Sequence, residues 1–190
     1  MVGLFVALHL ANHLASLVSV SAHLHFMELA RKVYRQPVVE GALLLCVLFQ
    51  ACSGLFLVVR GWRERTGALA WLQAASGTAV ALFLVIHVGA VLTGRVALEL
   101  DTNFYFAAAG MHVGHLGLFF APYYFIAVFA LFAHLGCAAW WLSGGAQRGR
   151  LLLTLALVAG ATVALLLVAS LAGLLEPFEV PAKYIATYSN

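Results

Sequence analysis

Four histidines, His9, His13, His23 and His25, fall within an otherwise apolar opening run, and four more follow at His87, His112, His115 and His134. An imidazole in apolar surroundings costs free energy unless a partner satisfies it, so each needs a chemical reason. For a single ring, the ordinary reason is a hydrogen bond to a backbone carbonyl or a serine. Two of these rings recur in a pattern. Gly3 to His13 reads GLFVALHLANH, and Gly77 to His87 reads GTAVALFLVIH. The Gly, the Val-Ala-Leu triplet, the next Leu and the final His align without a gap. Neutral imidazoles on facing helices can ligate a haem iron axially, with the porphyrin filling apolar space between the helices. The repeat therefore makes His13 and His87 the expected iron ligands.

The other histidines rank lower. His9 stands four residues before His13 and shares its helix face, which makes it the rival ligand. Its counterpart in the repeat is Phe83, so the repeat favours His13. His23 and His25 lie near the end of the first apolar run, where interfacial water would satisfy them. His112 and His115 are three apart and would either meet a cofactor's polar edge or form an interfacial pair.

The elements that must carry these rings follow from composition. Of 190 residues, 64% are hydrophobic and 9% charged, against about 25% charged in soluble domains. That leaves too little polar surface to cover a water-facing fold, so lipid is the expected solvent. A spanning helix needs about 20 apolar residues, and five segments qualify: about Val2–Phe26, Gly41–Val59, Ala68–Leu92, Leu118–Leu142 and Leu151–Leu174. The expected fold is an all-α integral membrane bundle of five transmembrane helices with an internal two-fold repeat. It would occupy residues 1–178, with a polar tail over 179–190. Pro37, the charged turn Arg60–Gly67, the Gly-Gly loop Ser143–Gly149 and the pair Glu176-Pro177 punctuate it. Residues 94–117 are long enough for an interfacial helix carrying His112 and His115.

Charge excludes other classes. The basic clusters Arg31/Lys32/Arg35, Arg60/Arg63/Arg65 and Arg148/Arg150 flank apolar runs, as membrane anchors do, and no basic stripe suggests nucleic acid. Five spans divide the basic residues five against five, which leaves orientation open, with a lean to a cytoplasmic N-terminus. Cys46, Cys52 and Cys137 lie inside apolar runs with no disulfide or zinc spacing, and are expected as small buried hydrophobes. The opening run has no positive n-region, so the first helix is expected to act as the insertion signal.

Trp71 to His87, WLQAASGTAVALFLVIH, resembles the haem-ligand helix of the cytochrome b membrane anchors of succinate dehydrogenase and fumarate reductase, in their single-chain, five-helix form. The motif is an aromatic, then Gln73, then Ser76-Gly77, then His87 ten residues after the glycine. Gly3 and His13 resemble the first helix of that family, and His134 in PYYFIAVFALFAHLGCAAWW resembles the ligand of its fourth. The resemblance implies haem b, electron transfer with a quinone, flavoprotein and iron–sulfur partner subunits, and a bacterial inner membrane. It implies one haem held from helices 1 and 3 and a second from helices 2 and 4. The second helix has Gln50 where a ligand is expected and no histidine anywhere. One haem is therefore expected, and His134 leaves room for a second. Gly3 and Gly77 would allow close approach of helix or porphyrin. Tyr34, Tyr105, Tyr123 and Tyr124 could hydrogen-bond a quinone, or simply anchor the chain at the interface. An oligomer is compatible with all of this. The rival readings are a haem-free adaptor on the same scaffold and, third, a histidine-based metal or proton transporter. The third would want acidic residues inside the spans, and all seven lie at helix ends or in loops.

Overall fold

The computed structural model describes residues 1–144 and 147–188. Gly145 and Ala146 of the expected Gly-Gly loop, and Ser189 and Asn190 of the tail, lie outside the described residues. The helices are α1 (Val2–Ala15), α2 (Val20–Tyr34), α3 (Pro37–Arg60), α4 (Ala68–Val96), α5 (Phe104–Ala108), α6 (Gly117–Leu142), α7 (Gln147–Leu171) and α8 (Ala182–Ile185). No strand occurs among the described residues.

Four helices are long and apolar enough to cross a membrane: α3, α4, α6 with the turn before it, and α7. Many of their large apolar side chains point outward, as on helices that face lipid. Leu45, Phe49, Phe56, Val85, Ile86, Leu155, Val158 and Leu165 are all exposed. On this ground the chain is an integral membrane protein.

The expected first span is not a single helix. It stops at Ala15 and restarts at Val20. The serines explain the break. The Ser16 hydroxyl donates to the His13 carbonyl at 2.6 Å, drawing the end of α1 out of register. Ser19, in extended backbone, accepts from the Ala22 N–H at 2.9 Å and caps α2. The 14 residues of α1 give a rod of about 21 Å, short of a hydrocarbon core of about 30 Å.

The chain forms two compact units. The first comprises Met1–Phe49, Val88–Ala121 and Leu166–Asn190; the second comprises Gln50–His87 and Pro122–Leu165. In the first unit α1 packs on α2, and the core holds Val20, Met27, Leu43, Phe104, Ala108 and Tyr184. The C-terminal segment joins this core, with Tyr184 of α8 only 1% exposed. In the second unit α6 carries a buried stripe of small residues, Ala127, Ala130, Ala133, Gly136 and Cys137. A Cβ at Gly136 would lie 2.8 Å from that of Ala156, and one at Gly160 would lie 2.5 Å from that of Phe132, so α6 and α7 approach through their glycines.

The expected interfacial helix over 94–117 is instead a chain of short pieces. One turn of α5 is capped by Asn103, and two 3-10 turns follow at Ala109–His112 and Gly114–Leu116. Gly114 has φ +46° and Glu99 φ +50°, conformations that no continuous helix accommodates. Cys46 and Cys52 face outward from α3, and only Cys137 is buried as expected.

Candidate functional site

Among the described residues, a histidine-centred polar cluster stands out in each unit. In the first unit α1 places His9, Asn12 and His13 one turn apart, and α2 returns His23 beside them. The His9 and His13 ring centroids are 4.8 Å apart, and those of His13 and His23 are 5.2 Å apart. Asn12 Nδ2 donates to His23 Nε2 at 3.2 Å, which leaves the His23 proton on Nδ1. His23 and Asn12 are both buried, and His23 Nδ1 and Asn12 Oδ1 have no hydrogen-bond partner. Phe104 closes the cluster with a ring contact of 5.3 Å to His23. Burial, then the positive charge of Arg31, holds the His23 imidazole down at about 4.

This corrects the expectation for His23. It lies on α2 past the serine break, and the turn folds it back onto α1 instead of into interfacial water. His25, two residues on, is exposed as expected. Next to the cluster α1, α2 and the start of α3 enclose an apolar groove of about 420 Å³. Leu8, Phe26, Leu29, Val33 and Leu43 line it, with His9, Asn12 and Tyr34 as its polar groups. His9 thus faces this groove, stacked on Phe5 at 5.6 Å.

In the second unit the residues singled out around the family-like motif come together. His134 Nδ1, on α6, donates to the Gln73 carbonyl of α4 at 3.2 Å, with the Ser76 hydroxyl 3.5 Å away. Ser76 Oγ also donates to the Gln73 carbonyl, at 3.2 Å. The Gln73 side chain accepts from Trp141 Nε1 at 2.7 Å. Gly77 supplies the room: a Cβ there would lie 2.9 Å from His134 Cε1. With Nδ1–H engaged by a carbonyl, the neutral ring keeps its lone pair on Nε2, the arrangement iron- and zinc-bound histidines commonly show. The chemistry of this donor therefore fits a haem iron.

The remaining expected residues are described within their own units. His87 belongs to the second unit and stacks on Phe83 at 5.0 Å. His13 belongs to the first unit. Gly3 has no neighbouring atom within 4 Å of the Cβ it lacks, so it grants no close approach within its unit, whereas Gly77 does so for a side chain. His112 donates from Nε2 to the Leu171 carbonyl at 2.9 Å and caps the end of α7, while His115 is exposed. Among the described residues no three His, Cys, Asp or Glu side chains are grouped to hold a bare metal ion. Asn12 escaped sequence reasoning. Its signal was an amide inside an apolar run, one residue before His13.

No protein-family model matches this chain, and no curated protein and no solved structure matches it either.

Proposed function

We propose that the chain is a membrane haem b subunit that carries electrons to or from a quinone, as the anchor of a complex resembling succinate dehydrogenase or fumarate reductase. In this reading α1 is a fifth, short membrane segment, and flavoprotein and iron–sulfur subunits dock on the bilayer face of a bacterial inner membrane. The axial ligands are His13 and His87, and the ungapped repeat ending on those two histidines carries the reading. The haem supplies one-electron carriage when bound. The protein would supply the imidazoles of His13 and His87 as the two iron ligands. The Nδ1 hydrogen bond of His134 supports it as the ligand of a second haem.

One observation favours a second reading, a haem-free adaptor. His134 Nδ1, the Ser76 hydroxyl and Trp141 Nε1 all find protein acceptors on Gln73, so these donors need no cofactor.

Substitution separates the two. His87→Ala is expected to abolish bound haem, and His13→Ala to abolish it or leave a five-coordinate iron. His25→Ala is expected to change little. A normal six-coordinate spectrum in His87→Ala would remove the ligand assignment.

A further inference from the structure

Three guanidinium groups and two carboxylates meet in the first unit, where the end of α2, the start of α3, the end of α4 and the loop before α5 converge. Arg31 donates to Asp101 Oδ1 at 2.7 Å and to the Thr102 carbonyl at 2.9 Å. Arg95 forms a two-pronged ion pair with Glu40. Arg35, at the C-terminal cap of α2, donates from Nη2 to Thr102 Oγ1 at 3.1 Å and has no carboxylate at ion-pair distance among the described residues. Three cations against two anions leave one positive charge over, and it falls on Arg35.

A second observation concerns acceptors. The Nε–H groups of both Arg31 and Arg35 are buried and donate to nothing. A buried charged donor without an acceptor is costly, and arginine's fork matches the oxygens of a phosphate. Burial, then the charges of Arg31 and Arg95, pulls the Arg35 guanidinium below its ordinary value, so an added anion would relieve like-charge repulsion. The place of the cluster selects the source of that anion. Glu40 stands in the first turn of α3 and Arg95 in the last turn of α4, and both helices are long and apolar enough to cross a membrane. Ends of such helices lie at the depth of lipid headgroups, and Lys32 is exposed alongside.

We propose that Arg35, flanked by Arg31, binds the phosphate of an anionic glycerophospholipid headgroup. The site rests on the membrane reading of α3 and α4 and is independent of haem.

The test uses the full chain in maltoside detergent, titrated with phosphatidylglycerol, phosphatidylcholine or inorganic phosphate, with bound lipid counted by native mass spectrometry. Phosphatidylglycerol should bind saturably and more tightly than phosphatidylcholine. Arg35→Gln should weaken it about tenfold, and Lys32→Gln less than about twofold. If Arg35→Gln does not fold, Arg35→Lys keeps the charge without the fork, and a several-fold loss is expected. Equal binding of the two lipids, or unchanged phosphatidylglycerol binding in the Arg35 variants, would overturn the site. Displacement of the lipid by millimolar inorganic phosphate would overturn the lipid assignment in favour of soluble phosphate.

Discussion

Gly77 and His134 are in contact across α4 and α6, so close that a Cβ on residue 77 would stand 2.9 Å from the imidazole Cε1. The glycine is therefore a seat for the ring. Gly77→Ala should push His134 off the Gln73 carbonyl and cost about 1–3 kcal/mol, the usual range for overpacking. Gly3→Ala, at the matching position of the repeat, meets nothing within 4 Å and should be nearly neutral. Unfolding of the two variants in mixed detergent micelles compares them directly. Equal losses would mean that Gly77 does not seat the ring.

His23 predicts a pH dependence. It lies on α2, outside the four long helices, and is held at about 4 when folded against about 6.5 when unfolded. Between these values the unfolded chain binds the extra proton, so stability falls as pH drops from about 6.5 toward 4 and levels off below. The largest loss from this group alone is about 3 kcal/mol. His23→Gln, which does not titrate, should flatten the thermal-stability profile over that window. A variant profile as steep as that of the wild type would show that another group is responsible.

The break between α1 and α2 depends on Ser19. Its hydroxyl caps α2, and Val20 N–H donates to Glu176 at 2.9 Å in the same turn. Ser19→Ala should cost about 1 kcal/mol. Loss of the cap should also raise amide exchange in the first turn of α2. If exchange there stays unchanged, the cap is not what holds the turn.

Much of the fold was legible from hydropathy because lipid imposes a length rule that a long apolar helix must obey. Thus α3, α4, α6 and α7 fell where expected, with shifted ends. Proline tolerates the first turn of a helix, so α3 starts at Pro37 and not Gly41. Gly173, at φ +72°, ends the α7 region earlier than the apolar run suggests. The break at residues 16–19 was not legible, because a hydropathy window averages over serines whose effect is a local hydrogen bond. The same blindness misplaced His23, whose burial depends on the chain turning back. Around the candidate sites the residue types were legible in Gln73, Ser76, Gly77 and His134, but their convergence needed α4 and α6 side by side. The orphaned atoms of Asn12 and His23 belong to packing and have no signature in spacing.

The central claim is that this chain holds haem b through His13 and His87. A reduced-minus-oxidised absorbance spectrum of the protein, purified after expression with ample haem and with haem counted per chain, tests it most directly. A b-type signal at about one haem per chain is expected, rising toward two only if His134 also ligates iron. A purified, folded chain with no haem would contradict it and put the adaptor reading in its place.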